Sequence, residues 1–332
     1  MTDRFFENNR KRLFEALGKD FEFSIKSGST DFDWLTGYGR FEDIVYSAVS
    51  HGGEIEQALY IPKTDPMKER WFGRMLHADE VRGIPVKDRE EFTGEAKGHE
   101  IIAHLRAFKQ EEEIETLKKS IALTGEGIKA LCGAIKPGAY EYNLRAAFEK
   151  VIADAGWREP CFATIVAAGA NSLCLHYHEC EKQIKEGEII LMDLGARVEY
   201  NGADISRTIP ANEEQRGMVQ LSTDCIDYVC EKAEPGMTIK QLNEIQDEYL
   251  SRYLKGDVTN YRWHSISHHL GFDCHDTCGR DEPVAEGSVF TLEVGIYFED
   301  KGWGVRTEDD VLMTADKAVN LSKDIIPRLI KI

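Results

Sequence analysis

An internal repeat is the feature that most limits how this chain of 332 residues can fold. A helix stop at Pro137-Gly138 recurs at Pro235-Gly236, an offset of 98 residues. The segment 186–195, EGEIILMDLG, aligns with 286–295, EGSVFTLEVG, at an offset of 100. Chance similarity between two strand-and-turn segments is the alternative. We predict two halves of about 100 residues, each with two helices followed by antiparallel strands, packed about a pseudo-twofold axis.

Apolar residues at three- and four-residue steps predict the helices of both halves. The first helical pattern runs from His104 to the stop at 136–138, and a second helix is expected over Glu141–Ala155. The second half is expected to repeat this order with helices over Glu213–Ala233 and Ile239–Leu254. Strand-rich blocks should follow each pair of helices.

Residues before the repeat indicate a separate, smaller domain. An opening helix is expected over Asn8–Leu17, with short strands around Phe21–Ile25 and Asp43–Val49. We place the domain boundary after residue 105, which gives domains 1–105 and 106–332. Both are long enough to bury a hydrophobic core without disulfides or zinc. The predicted class is α+β, with an α/β domain preceding the repeated one.

The charge balance excludes some partners. The 41 Lys and Arg residues face 59 Asp and Glu residues, for a net charge of −18. Nucleic-acid binding needs a basic surface, so we predict no nucleic-acid partner. No window has the roughly 18 apolar residues of a membrane-spanning helix, and the first residues, MTDRFFENNRKR, are too polar for a signal peptide. We therefore expect a cytoplasmic protein with reduced cysteines.

Acidic residues interrupt two apolar runs, at Asp193 and at Glu293. A carboxylate in a buried strand is unfavourable unless a positive group compensates it. A hairpin after each run would bring Asp204 beside Asp193 and Glu308 beside Glu293. Four carboxylates this close cannot all stay ionised without cations. The sequence therefore predicts two divalent metal ions.

A histidine cluster adds an imidazole to these acids: His264, His268, His269 and His275 lie within twelve residues. Four carboxylates and one imidazole are mostly oxygen donors, which suit Mn²⁺ and tolerate Co²⁺, Fe²⁺ or Zn²⁺. Two such ions lower the pKa of a bridging water and stabilise the oxyanion formed when hydroxide attacks a carbonyl. The predicted chemistry is amide hydrolysis.

At these residues the sequence resembles the pita-bread metallopeptidase family, which includes methionine aminopeptidase, aminopeptidase P and prolidase. The family's ligand order is Asp, Asp eleven residues later, His, Glu and Glu, and here 204 − 193 = 11. The stretches HSISHHLGFDCHD from 264, TLEVGIY from 291 and GVRTEDD from 304 are most similar to aminopeptidase P. The metal ligands that the resemblance implies are Asp193, Asp204, His268, Glu293 and Glu308.

The resemblance also implies roles around the ligands. Glu293 would take and relay the proton of the bridging water. His176 and His275 would stabilise the oxyanion and protonate the leaving nitrogen. The residues expected around the proline side of the scissile bond are His264, Tyr297 and Arg306. The implied activity is that of an Xaa-Pro aminopeptidase acting on peptides with proline in second position, and the implied assembly is a homodimer.

Two residues depart from the family pattern. Val294 stands where the family usually has proline, so we expect a less restrained turn after Glu293. Cys274 replaces the usual valine beside the catalytic pocket. We interpret Cys274 as a space-filling residue, with sensitivity to oxidants as the alternative.

Three other functions compete with the aminopeptidase. A prolidase would cut only Xaa-Pro dipeptides. A catalytically inactive relative would use the fold for binding, and a creatinase-like hydrolase would use it without metal. The presence of all five ligands disfavours the last two.

Overall fold

The computed structural model describes residues 1–136, 138–277, 279 and 281–330, so Pro137 of the predicted helix stop and Cys278 lie outside the described residues. The chain divides into two compact units, Met1–Arg106 and Ala107–Ile332. The boundary predicted after residue 105 lies beside this division. Each unit is described separately below.

The first unit is built on a four-stranded sheet. Its helices are α1 (Asp3–Leu17), α2 (Thr30–Thr36), α3 (Pro66–Phe72) and α4 (Ile101–Ala107), and its strands are β1 (Phe21–Lys26), β2 (Val45–His51), β3 (Glu54–Ile61) and β4 (Val86–Asp88). The strand order is β1-β2-β3-β4, with only the β3–β4 pair parallel. Helix α1 begins before the predicted Asn8 because the Thr2 hydroxyl accepts a hydrogen bond from the Phe5 amide at 3.3 Å.

Two pairs of helices belong to the second unit. They are α5 (Glu111–Gly133), α6 (Glu141–Asp154), α7 (Glu213–Lys232) and α8 (Ile239–Leu250). The continuous helix predicted from His104 is wrong, because residues 108–110 separate α4 from α5. There Phe108 bridges to Ser288, and the Lys109 amide donates to the Gly287 carbonyl at 2.8 Å. Among the described residues, no helix combines the length and apolarity needed to cross a bilayer.

The strands of the second unit follow each helix pair. They are β5 (Ile165–Ala168), β6 (Ile190–Leu194), β7 (Arg197–Val198), β8 (Asn201–Gly202), β9 (Ile205–Ile209), β10 (Val289–Phe298), β11 (Trp303–Met313) and β12 (Ala318–Asn320). One antiparallel sheet has the order β5-β6-β9 and another has the order β10-β11-β12. A separate two-stranded sheet pairs β7 with β8.

Equivalent backbone contacts confirm the predicted repeat of two helices followed by strands. Tyr140 bridges to Gln183 before α6, and Thr238 bridges to Pro283 before α8. The offsets between these bridges are 238 − 140 = 98 and 283 − 183 = 100, as in the sequence alignment. The same local pairing therefore occurs at the same place in both halves.

A buried ion pair joins the two halves beneath the strands that carry the acidic residues. Arg207 on β9 lies 2.7 Å from Asp309 on β11, and both side chains are fully buried. Arg207 also donates to the backbone carbonyl of Glu308 at 2.6 Å. Arg328 approaches the other oxygen of Asp309 at 2.6 Å. These bonds fix β9 against β11, which determines where the nearby carboxylates lie.

Replacing Phe148 with alanine should destabilise the second unit. Phe148 on α6 is fully buried against Gly127 of α5, where a Cβ would overlap its ring. A Phe→Ala change in such a core costs about 3–5 kcal/mol of unfolding free energy, measurable by urea denaturation. The control is Phe72→Ala on the 88% exposed Phe72, which should change stability by less than about 0.5 kcal/mol. Equal effects of the two substitutions would contradict this packing.

Candidate metal centre

One cavity gathers the predicted site residues. It has a volume of about 350 Å³. The predicted residues that line it are His176, Asp193, Asp204, His264, His268, His275, Glu293, Arg306 and Glu308. Tyr297 does not line the cavity, but its hydroxyl lies 2.9 Å from His264 Nε2. Burial raises the pKa of Tyr297 to about 12, so its hydroxyl stays protonated.

Two antiparallel hairpins supply the four carboxylates. In the first, Asp193 on β6 pairs with Ser206, and Asp204 directly precedes β9. In the second, Glu293 on β10 lies opposite Glu308 on β11. The hairpin geometry expected from the sequence is therefore present in both halves.

His268 is the imidazole closest to the acids. Its Nε2 atom lies 3.4 Å from Asp204 Oδ2 and 3.9 Å from Glu308 Oε1. Its Nδ1 atom lies 3.0 Å from the carbonyl oxygen of His269, to which it donates. This bond leaves Nε2 directed at the carboxylates, the arrangement that a metal-ligating histidine needs.

Arg306 is a buried partner of the acids and also lines the cavity. Only 1% of the residue is exposed. Its guanidinium lies 2.8 Å from Asp193 Oδ2 and 3.5 Å from Glu293 Oε1. It also donates to the Tyr297 hydroxyl at 3.2 Å. Arg306 therefore compensates part of the negative charge and positions Tyr297.

Raised pKa values of two acids in the cluster show that nearby positive groups do not balance its negative charge. Burial, followed by the charges of Asp204 and Glu293, raises the pKa of Asp193 to about 7, against the effect of Arg306. Burial and the neighbouring acids likewise hold the pKa of Glu308 well above its ordinary value. Protons or cations must therefore neutralise part of the cluster.

The Asp204–His268 pair is the exception within this cluster. Burial alone would raise the pKa of Asp204, but the hydrogen bond and charge of His268 lower it. Burial alone would lower the pKa of His268, but Asp204 and Glu293 raise it to about 9. In the metal-free protein this imidazole is protonated near neutral pH and supplies part of the missing positive charge.

The residues present fit divalent cations. Asp193 Oδ1 and Glu308 Oε1 are buried and, within the described part of the chain, accept no hydrogen bond. Buried carboxylate oxygens left without donors are unfavourable unless a cation binds them. Ligand atoms of Asp204, His268 and Glu308 also lie within 4.8 Å of one another. The donor set is oxygen-rich, as hard divalent ions require.

His176 and His275 lie at the exposed side of the cavity. The ring of His275 is 4.1 Å from that of His268. The loop that carries His176 is anchored through its neighbour Tyr177, whose hydroxyl donates to the buried Glu141 at 2.8 Å. Both imidazoles can therefore reach a molecule that enters the cavity from solvent.

The prediction of a turn directly after Glu293 is wrong. Residues 293–295 lie in the middle of β10, and Val294 pairs with Thr307. Val294 is fully buried, and its carbonyl accepts a hydrogen bond from Ser222 at 2.7 Å. A β-branched residue suits this strand position, so the change from proline leaves the hairpin continuous.

Sequence reasoning missed two residues that hold the ligands. Ser206 accepts a hydrogen bond from Arg306 at 2.9 Å and donates to Glu308 at 3.0 Å. Asp310 accepts the backbone amide of Asp204 at 3.2 Å. The two-residue period of a strand could have identified both residues from the sequence, because it places Ser206 on the same face as Asp204 and Asp310 on the same face as Glu308.

The model of metallopeptidase family M24 matches residues 115–315. The chain belongs to family M24. The match spans both hairpins and all five predicted ligands.

Relatives within M24 carry two different activities in their names. The Xaa-Pro dipeptidase of Pyrococcus furiosus is 36% identical over 68% of this chain and 65% of its own length. The Xaa-Pro aminopeptidase of Escherichia coli is 28% identical over 69% of this chain and 59% of its own. The chain thus matches less than two thirds of the length of these relatives.

A solved M24 structure has nearly the same fold. It comes from Bacillus anthracis, and its assignment as an aminopeptidase P is provisional. It has 30% sequence identity and a TM-score of 0.91, with 98% of this chain and 96% of that chain covered. The prediction of a pita-bread fold with an N-terminal α/β domain is confirmed.

The metal-free protein should lose stability as the pH rises from about 4 to about 7. Asp193 keeps its proton in the folded state up to about pH 7, whereas it ionises near its ordinary pKa of 3.8 when unfolded. The folded state therefore binds more protons across this window, and its free energy of unfolding falls as pH increases. Urea denaturation of chelator-treated protein at about pH 5 and about pH 7 measures the fall.

Asp193→Asn is the matched variant, because it keeps the side-chain shape but removes the titrating group. Its stability should change less between the two pH values than that of the wild type. Identical pH dependence in the two proteins would contradict a buried, protonated Asp193.

Proposed function

We propose that this chain is a metallo-exopeptidase that hydrolyses the Xaa-Pro bond at the N-terminus of peptides. The observation that carries the proposal is the cavity in which four carboxylates and His268 converge while two buried carboxylate oxygens accept no hydrogen bond within the described residues. Membership of family M24 and relatives named Xaa-Pro dipeptidase and Xaa-Pro aminopeptidase support it.

The proposed ligands of two divalent ions are Asp193, Asp204, His268, Glu293 and Glu308. Manganese is the proposed metal because the donors are mostly carboxylate oxygens. Bound ions would supply the positive charge that lowers the pKa of a water molecule and stabilises an oxyanion. Arg306 would keep Asp193 and Glu293 oriented through its contacts at 2.8 and 3.5 Å.

Glu293 is the proposed proton acceptor. Its Oε2 atom lies 3.5 Å from His264 Nδ1, and its Oε1 atom faces Arg306. The carboxylate lines the cavity and is 18% exposed, so it can meet a water molecule there. A proton taken at Oε2 could then pass to the leaving nitrogen of the cleaved bond.

The exposed imidazoles are proposed to act on the substrate itself. His176 and His275 would donate hydrogen bonds to the carbonyl oxygen as negative charge develops on it. His264 and Arg306, which line the cavity, would form the wall on the proline side, and the Tyr297 hydroxyl, outside the lining, is bonded to both of them. The peptide's free amino group would meet the acidic cluster, which restricts cleavage to chain ends.

A dipeptidase is the second candidate, and the 36% identity to the Pyrococcus furiosus enzyme favours it. The two candidates differ in whether the chain accepts a residue after the proline. Cytoplasmic location and a homodimer remain predictions from the sequence.

Paired substrates separate the two activities. Purified protein with Mn²⁺ should hydrolyse an Xaa-Pro-Yaa tripeptide, with release of the first residue detected by chromatography. The matched Xaa-Ala-Yaa tripeptide should stay intact, because its alanine side chain is too small to contact the residues proposed to surround proline. Cleavage of Xaa-Pro dipeptides alone would establish the dipeptidase, and cleavage of neither proline substrate would refute both.

Substitution of the proposed ligands should remove metal and turnover together. Since loss of groups outside the ligand shell already lowers metal affinity or activity about 10–100-fold, Asp204→Ala and Glu308→Ala should each reduce turnover more than about 100-fold. Elemental analysis of the purified variants should show the parallel loss of metal. Glu213→Ala is the control, because the Glu213 side chain is 90% exposed and does not line the cavity. A fully active, metal-free Glu308→Ala protein would be incompatible with the proposal.

A further inference from the structure

Two cysteines lie beside the acidic cluster. Cys274 Sγ is 3.0 Å from Asp204 Oδ2. Interaction between the two thiols lowers the pKa of Cys161 and raises that of Cys274, so Cys161 lies near Cys274. Both residues are partly accessible. The proposed hydrolysis uses neither thiol, so this pair is left without a role.

Three different donor atoms converge at the cysteine pair. Ligand atoms of Asp204, Cys274 and His275 lie within 4.8 Å of one another. These three donors are one sulfur, one imidazole nitrogen and one carboxylate oxygen, and Cys161 offers a second sulfur nearby. A set with thiol and imidazole donors suits Zn²⁺ and related thiophilic ions, in contrast to the oxygen-rich cluster beside it.

Backbone and side-chain contacts fix the segment that carries Cys161. The Cys161 amide donates to the Gly195 carbonyl at 2.8 Å, and Arg197 Nη2 lies 3.5 Å from Cys161 Sγ. Gly202 lies directly against Cys161, and a Cβ at position 202 would overlap the sulfur. Arg197 also donates to the carbonyl of Phe272, two residues before Cys274. The same arginine therefore contacts both cysteine-bearing segments.

We propose that Asp204, Cys274 and His275, with Cys161 as a neighbouring fourth donor, form a binding site for one thiophilic divalent cation. Occupancy of this site would compete for the Asp204 carboxylate and hold His275 away from substrate. The cation would therefore inhibit the peptidase. Binding itself is independent of the proposed peptidase function, whereas the inhibition rests on it.

Cadmium absorption tests the binding without any measurement of turnover. Cd²⁺ is added to full-length protein that has been reduced, freed of metal and then loaded with excess Mn²⁺. The wild type should develop the ultraviolet charge-transfer band of a cadmium thiolate at one equivalent. Since changes outside a ligand shell already weaken metal binding about 10–100-fold, Cys274→Val should weaken Cd²⁺ binding at least about tenfold. Cys161→Ala should weaken it as well if its thiol is the fourth donor.

Cys174→Ala is the matched control, because Cys174 is an exposed thiol in the same unit. It should retain the band and the affinity of the wild type. A band of unchanged strength in Cys274→Val, or one that disappears in Cys174→Ala, would overturn the site. If two thiols are missing from the purified protein before its reduction, the pair forms a disulfide instead, and this would equally overturn the site.

Inhibition is the second measurement. Cleavage of an Xaa-Pro substrate with excess Mn²⁺ is followed at increasing Cd²⁺, and each protein is normalised to its own rate without Cd²⁺. The half-inhibitory concentration should rise at least about tenfold in Cys274→Val. Equal inhibition of the two proteins would overturn the inhibitory role. If no Xaa-Pro substrate is cleaved, the peptidase proposal fails, and the absorption experiment still decides whether the site exists.

Discussion

Repulsion among four carboxylates is the constraint on which the second unit depends. Asp193, Asp204, Glu293 and Glu308 lie around one cavity, where burial strengthens their mutual repulsion. Two positive groups offset part of this repulsion. The Arg306 guanidinium lies 2.8 Å from Asp193, and His268 lies 3.4 Å from Asp204. Negative charge remains on the cluster even with Arg306 and His268 in place. A scaffold that holds unfavourable acids together in this way is prepared to gain free energy when cations bind.

The rigidity of that scaffold comes from a second layer of buried polar contacts. Arg207, Asp309 and Arg328 form a fully or nearly fully buried ion network on the far side of β11 from Glu308. Ser206 links Arg306 to Glu308. Removing one member of such a network would leave a buried charge uncompensated, which is strongly unfavourable. These residues therefore position the ligands without touching the cavity contents themselves.

The sequence predicted the parts of the fold and site that follow from local periodicity and spacing. The 98- and 100-residue offsets found the repeat, and the acids inside apolar runs indicated the hairpins, because a buried charge stands out in any pattern. The sequence patterns could not predict contacts between distant segments of the chain. The bridge from Phe108 to Ser288 broke the expected long helix, and strand pairing of Val294 replaced the expected turn. The approach of Cys161 to Cys274 depends on tertiary packing that no local spacing reveals.

Glu293 and Glu308 lie directly opposite each other in the β10–β11 hairpin, so the strand register decides which side chains face the cavity. Side chains alternate between the two faces of a strand, so a slip of one residue between β10 and β11 would exchange Glu308 with Asp309 or Thr307. Either exchange would turn Glu308 away from the cavity, and the exchange with Asp309 would also take a member of the ion network out of its place. The turn at Glu299–Gly302, where Gly302 adopts a φ of +71°, sets this alignment. Insertions there should be tolerated only if they leave the strand register intact, which makes the loop's length a determinant of the chemistry some distance away.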